Sequence, residues 1–253
     1  MNAQSPSAAP RLLQMTSISK QFSGVTVLRD VRFSIQAGEI VCLLGENGAG
    51  KSTLMKILAG VHTEYEGDLL LDGQPVRFRS TQDAGAHGVG IVFQEFNLCP
   101  NLSVMENLFL GNEVRNGLGL IDYPQMRRRA HEAFAALGVQ IDPEALVGNL
   151  TVAPQQMIEI AKALAHETRI LIMDEPTAPL AGAEIEHIFR LMLELKARGM
   201  AIIFISHKLN EVLRITDRVV CLKDGENSGE IATVAATEDK LVSMMVGREL
   251  DKL

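Results

Sequence analysis

The densest chemistry in the chain lies in Gly45-Glu46-Asn47-Gly48-Ala49-Gly50-Lys51-Ser52. The string fits G-x-x-x-x-G-K-[ST], follows the apolar run EIVCLL and precedes TLMKILAG, which reads as a helix. Glycines let successive backbone N–H groups turn inward on phosphate oxygens, and a helix starting at Lys51 adds its positive end. Lys51 is expected to reach the β- and γ-phosphates of a nucleoside triphosphate, and the Ser52 hydroxyl to ligate Mg²⁺. A second chemical run is Arg169–Thr177, an apolar strand that ends in two adjacent carboxylates, Asp174 and Glu175. In an open α/β sheet ligands sit off the carboxyl ends of the strands, so Asp174 is expected beside the phosphate loop, holding Mg²⁺ through water. Glu175 is then placed to orient and deprotonate an attacking water. Two further strand ends offer groups that could sense a γ-phosphate: Gln94 after VGIVF and His207 after AIIFIS.

These residues need a scaffold that brings distant strand ends together. Short apolar runs, Leu12–Ile18, Val25–Phe33, Glu39–Leu44, Val89–Phe93, Arg169–Met173, Ala201–Ile205 and Arg218–Leu222, alternate with helical patterns and Gly punctuation. That is the sequence form of an α/β protein with a largely parallel sheet. Glu184–Ala197 carries apolar residues at three- and four-residue steps and stops before Gly199, which predicts a helix packing one face on the sheet. From about Glu95 to Ala165 there is no buried strand, only helical stretches at Gln125–Leu137 and Gln155–Ala165, as expected of a helical insertion in a nucleotide-binding core. A short helix is expected at Asp239–Val246.

Composition narrows the partners. The 253 residues are 47% hydrophobic and 22% charged, within the globular range. Twenty-four Lys and Arg against 31 Asp and Glu leave a net charge of −7, the wrong sign for a protein that neutralises a nucleic acid backbone. No apolar run approaches the ~18 residues of a bilayer span. Residues 1–10 read as a loose polar tail rather than a signal peptide, so a reducing cytosol is expected. Cys42, Cys99 and Cys221 are an odd count without C-x-x-C spacing and read as reduced core residues. His62, His87, His131, His166 and His187 show no ligand spacing and read as surface or packing residues.

The order of these motifs, a phosphate loop, Gln94, a helical region, a signature run, Asp174-Glu175 and His207, closely resembles an ABC transporter ATPase over residues 11–250. The signature, usually L-S-G-G-Q, is Leu150-Thr151-Val152-Ala153-Pro154 here. With FNLCPNLSVMENLFLG at 96–111 and EPTAPL at 175–180, it looks most like the cassettes of bacterial importers of ribose, xylose, arabinose or galactose. The resemblance implies a P-loop NTPase (RecA-like) core with an antiparallel β edge and an inserted helical subdomain. The division it implies is a tail at 1–10, a discontinuous core at 11–94 and 166–233, a helical signature subdomain at 95–165, and a C-terminal helix and tail at 234–253. It also implies ATP hydrolysis that drives monosaccharide import, on the cytoplasmic side of the inner membrane. The partners implied are permease subunits, a second cassette and, indirectly, a periplasmic sugar-binding protein, with no nucleic acid. In that class two cassettes usually follow in tandem; this chain has the length of the first and ends where the linker would begin.

By the same resemblance, ATP is held by residues 45–53, including Glu46, Asn47, Ala49 and Thr53. Phe22 stacks on adenine, or is an ordinary strand aromatic. Ser52, Gln94 and Asp174 hold Mg²⁺; Glu175, His207 and Gln94 serve hydrolysis. Thr151 reaches the nucleotide of a facing cassette and also caps the following helix. Phe96, Leu98, Leu102 and Met105 line a groove for a permease helix, or are plain core. Pro154 and Ala181 depart from the family pattern, where Gln and Asp are usual. Both changes weaken what this cassette gives its neighbour, which implies two unequal ATP sites. The alternatives are an ABC-type ATPase acting on nucleic acid or ribosomes, and a nucleotide-binding regulator without turnover.

Overall fold

The computed structural model describes residues 11–165 and 167–247. The strands are β1 (Arg11–Phe22), β2 (Val25–Gln36), β3 (Ile40–Leu44), β4 (Glu66–Leu71), β5 (Gln74–Pro75), β6 (Val89–Val92), β7 (Ile170–Asp174), β8 (Ala201–Ile205), β9 (Arg218–Lys223) and β10 (Glu226–Ala232). The helices are α1 (Lys51–Leu58), α2 (Thr81–Ala86), α3 (Val104–Leu108), α4 (Tyr123–Ala136), α5 (Val152–Leu164), α6 (Gly182–Ala197), α7 (Leu209–Ile215) and α8 (Glu238–Val246). The polar tail at 1–10, His166 and the charged end at 248–253 lie outside the described residues.

One sheet has the order β10-β9-β3-β8-β7-β6 and is parallel except for β10, which returns antiparallel on β9. The other, order β2-β1-β4-β5, is antiparallel. Alternation along the parallel strands feeds two cores, because successive side chains face opposite sides. Cys42, Leu44, Leu171, Met173, Phe204 and Cys221 face the helices α3–α6. Val41, Leu43, Ile170, Ile172, Ile203 and Leu222 face α1 and the antiparallel sheet. A strand buried on both faces reads as a continuous apolar run, which is why β3, β7 and β8 are so plain in the sequence. Arg218 ties the sheets at one edge: its guanidinium donates to Glu39 Oε1 (2.9 Å), Glu230 Oε1 (2.8 Å) and the Ser34 carbonyl (2.7 Å).

The helical expectations hold, with boundaries shifted by a few residues. Between β6 and β7 lie α3, α4, a 3₁₀ turn at Val147–Asn149 and α5, and among the described residues the only strand pairings there are the isolated bridges Ser103–Leu146 and Arg115–Ile121. The strand expectations fall short, since β4, β5 and β10 lie outside the apolar runs the sequence singles out. Cys42 and Cys221 are fully buried and burial pushes both thiols up, Cys221 to about 12. Cys99 departs from the core reading, being only half-buried in the segment before α3.

Candidate functional site

The loop Gly45–Gly50 leaves the carboxyl end of β3 and enters α1 with Gly50 at the N-cap. Two glycines are dictated by geometry. A Cβ at Gly45 would lie 2.3 Å from the Leu222 carbonyl oxygen, so the loop can pass β9 only without a side chain. Gly50 has φ +100°, which favours Gly, and a Cβ there would meet Leu28 Cδ2 at 2.5 Å. Beyond it the amides of Lys51, Ser52 and Thr53 open the first turn of α1, where N–H groups lack intrahelical acceptors. Lys51 folds back over the loop, its Nζ donating to the carbonyls of Gly45 (2.7 Å) and Glu46 (2.9 Å). Burial lowers its pKa, against the opposing pull of the Glu175 and Asp174 carboxylates. Glu46, Asn47 and Gly48 are exposed at the mouth; Ala49 is buried.

Asp174 ends β7 beside this loop. Burial raises its pKa, and the adjacent Glu175 charge adds to the rise, against Lys51 and Lys56. Ser52, Gln94 and Asp174 line one cleft of about 890 Å³, together with Lys56, Asn97, Glu159 and Lys162. Hydroxyl, amide and carboxylate oxygens are the hard donors a divalent magnesium ion takes. A cation there would also relieve the carboxylate repulsion at Asp174, so the residue set fits Mg²⁺.

Glu175 adopts φ +48°, costly for a non-glycine residue by about 1–2 kcal/mol. Such strain persists where the surroundings over-determine it. Here its backbone N–H donates to the Ile205 carbonyl (3.0 Å), and Oε1 lies 2.9 Å from His207 Nδ1. His207 follows β8 with a well-exposed side chain, so the two sequence-nominated groups meet directly. Gln94, two residues past β6, is exposed.

The remaining nominated residues divide. Phe22 closes β1 at the β1–β2 turn, 39% exposed, with the Lys20 ammonium 4.9 Å from its ring centre and the His62 ring edge-on at 5.1 Å. It is a partly exposed aromatic at the end of a strand. His87 and His187 bond to the carbonyls of Asp83 and Leu137, as packing residues do. Thr151 occupies the N-cap position of α5, but its hydroxyl makes no capping bond, a correction to the expected cap. Instead Gln155 Nε2 donates to the Leu150 carbonyl (2.9 Å). Pro154 sits in the first turn of α5, where its missing N–H is tolerated. Ala181 is the N-cap of α6 with no side-chain cap: its N–H donates to Glu184 Oε2 (3.2 Å) and its carbonyl accepts from the Glu184 N–H (2.9 Å), whereas an Asp there would cap the helix, worth about 1 kcal/mol. Met105 belongs to the core rather than a groove, while Leu98 is only partly buried.

Sequence reasoning missed three buried polar residues around the site. Asn107, fully buried on α3, accepts from Cys99 N–H (2.7 Å) and donates to the Cys99 (3.0 Å) and Ser103 (3.0 Å) carbonyls, shaping the loop after Gln94. Glu159, 5% exposed on α5, accepts from Asn97 N–H at 2.6 Å. Glu211 is taken up below. Nothing in their spacing separates them from solvated polar residues; only the S-x-x-E box Ser103–Glu106, which caps α3, was a local signal.

Glu159 gives a pH prediction. Burial raises its carboxyl pKa above the ordinary 4.5, against the Asn97 N–H and Lys162. A raised folded-state pKa means its contribution is full below the unfolded value and is lost as pH rises through the folded one. The Glu159→Gln variant should therefore gain melting temperature relative to the parent as pH rises above about 4.5, then level off. Thermal melts across that range check this; a gain that grows toward acid would mean the Asn97 and Lys162 contacts outweigh burial.

With this geometry in place, the comparisons are direct. The chain belongs to the ABC transporter family, whose family model matches residues 28–178. The ribose import ATP-binding protein RbsA of Hahella chejuensis is 52% identical over 239 residues, covering 94% of this chain and 48% of that protein. The putative ribose/galactose/methyl galactoside import ATP-binding protein 3 of Burkholderia ambifaria is 48% identical over 248 residues, covering 97% and 48%. The chain thus spans about half the length of the curated relatives it matches. Among solved structures, the ADP conformation of the cassette MJ1267 superposes with a TM-score of 0.80 at 24% identity, covering 94% of this chain and 99% of that one. The dimeric bacterial ABC transporter cassette MJ0796 gives 0.75 at 26% identity, covering 87% and 98%. The fold is that of a P-loop ATP-binding cassette with an antiparallel sheet and a helical subdomain.

Proposed function

We propose that this chain is a motor cassette that hydrolyses ATP to drive import of ribose or a related monosaccharide through a membrane permease. The observation that carries the reading is the meeting at one cleft of Ser52, at the end of the glycine loop, with Gln94 and Asp174, and the contact of Glu175 with His207. In this reading the amides of residues 45–53 and Lys51 bind the phosphates, Phe22 stacks on adenine, and Glu175 holds the attacking water, with His207 and Gln94 on the γ-phosphate. Ser52, Gln94 and Asp174 would hold Mg²⁺, which neutralises phosphate charge when bound. Thr151 serves the nucleotide of a facing cassette. Residues 11–94 and 166–233 form the core and 95–165 the helical unit.

The names of the curated relatives support import of ribose or galactosides, and a solved dimer of a related cassette supports pairing. Permease subunits, a second cassette and a periplasmic sugar-binding protein are the partners proposed, at the cytoplasmic face of the inner membrane. Among the described residues no helix is long and apolar enough to cross a membrane. The test is ATP hydrolysis by the full transporter in vesicles with sugar-loaded binding protein. Stimulation by ribose or a related sugar, with uptake, is expected; hydrolysis indifferent to every monosaccharide would overturn the import reading.

A further inference from the structure

The Glu175–His207 contact is partly in solvent, with the His207 side chain 62% exposed, yet both residues sit on loops whose relative position must be fixed for the contact to persist. What lies beneath them is a buried polar cluster. Glu211 on α7 is 5% exposed, Thr177 1% and Ser206 3%. Thr177 Oγ1 donates to Glu211 Oε2 at 2.5 Å, with Ser206 Oγ 3.5 Å from the same oxygen. Lys208 Nζ lies 3.1 Å from Glu211 Oε1 and donates to the Thr177 carbonyl at 3.2 Å, while its backbone N–H donates to Ser206 Oγ at 3.1 Å. Thr177 is two residues after Glu175, and Ser206 and Lys208 flank His207. One carboxylate therefore holds the loop of the water-orienting acid and the loop of the histidine in a single frame.

We propose, resting on the reading that Glu175 and His207 serve hydrolysis, that Glu211 is a positioning residue that sets their mutual geometry. Buried beneath both loops, it acts through Thr177 on one and through Ser206 and Lys208 on the other. A buried charge with its counter-ion and hydroxyl partners in place is a rigid support, and removing one member leaves the others unpaired. Solvent-exposed contacts between two loop side chains supply no such fixity. The strained φ of Glu175 is consistent with a loop pinned from below.

The test compares Glu211→Ala, Glu211→Gln and Thr177→Val in the assembled transporter, varying MgATP. Because misplacing a catalytic group by about 1 Å costs up to about 100-fold, Glu211→Ala and Thr177→Val should each lower kcat by about 10–100-fold. None of the residues 45–53 proposed to bind the phosphates is a partner of Glu211 in the cluster, so KM should stay within about twofold. The double variant should fall little below the worse single one, because both break the same link. Glu211→Gln keeps an amide oxygen for the Thr177 hydroxyl but turns its NH2 toward the Lys208 ammonium, so its turnover should fall between those of the parent and Glu211→Ala. Wild-type kcat in Glu211→Ala, or equal damage from Gln and Ala with KM and kcat falling into disorder together, would overturn the proposal. If Glu211→Ala does not fold, Thr177→Val decides, since it exchanges one hydroxyl for a methyl at constant volume. A wild-type transporter that turns over no ATP overturns the proposed function and this inference with it; normal wild-type turnover with an indifferent cluster overturns this inference alone.

Discussion

Replacing Glu175 by Gln is expected to lower ATP turnover by about 10²–10⁴-fold while leaving nucleotide affinity within about threefold. The change is isosteric, so the backbone bond from residue 175 to Ile205 and the strained φ of +48° remain. What disappears is the basic carboxylate now 2.9 Å from His207 Nδ1, and with it the proposed acceptor of a proton from water. Asp174, at the end of β7, keeps its charge, so metal and phosphate binding should survive. Single-turnover hydrolysis of radiolabelled ATP in the assembled transporter measures the step directly. A Gln variant as fast as the parent would remove Glu175 from hydrolysis and revive a regulator that binds nucleotide without consuming it.

The second large effect is on binding. Lys51→Ala should weaken ATP binding by about 10–100-fold, the value of one charge-assisted hydrogen bond at ~1.5–3 kcal/mol. Two losses combine. The ammonium proposed to neutralise phosphate charge goes, and so do its bonds to the Gly45 and Glu46 carbonyls across the loop. The half-buried ammonium already sits with its pKa lowered by desolvation, so it is poised to gain from an anion brought into contact. Titration calorimetry with ATP reads the effect; an affinity within twofold of the parent would mean that the backbone amides alone bind the phosphates.

Legibility followed the physics of each element. Strands β3, β7 and β8 are buried on both faces and announce themselves as apolar runs, and the phosphate loop and carboxylate pair follow from them because function required the strand ends. β4 and β10 were missed because each shows one face to solvent: GDLL and ENSGEIA carry as much polar as apolar character. A signal was nevertheless there. Asp72-Gly73 and Asp224-Gly225 are both left-handed pairs, φ +51° and +75°, +48° and +81°, which is the two-residue hairpin turn that Asp-Gly favours. Each sits between one of the missed strands and its partner. The site was legible as chemistry but not as support: Glu159, Asn107 and Glu211 are polar residues whose burial is created by elements far away in the chain. A buried Glu and a solvated Glu are the same letter.

The three cysteines carry a practical consequence. Two thiols sit in the interior of adjacent strands with ionisation pushed far above neutrality, where electrophiles neither reach nor find a thiolate. Cys99 alone is partly open, its backbone clamped by Asn107 in the stretch just downstream of Gln94. The unaltered polypeptide thus offers a single address for a maleimide fluorophore, fixed to the stretch through which nucleotide and permease would communicate.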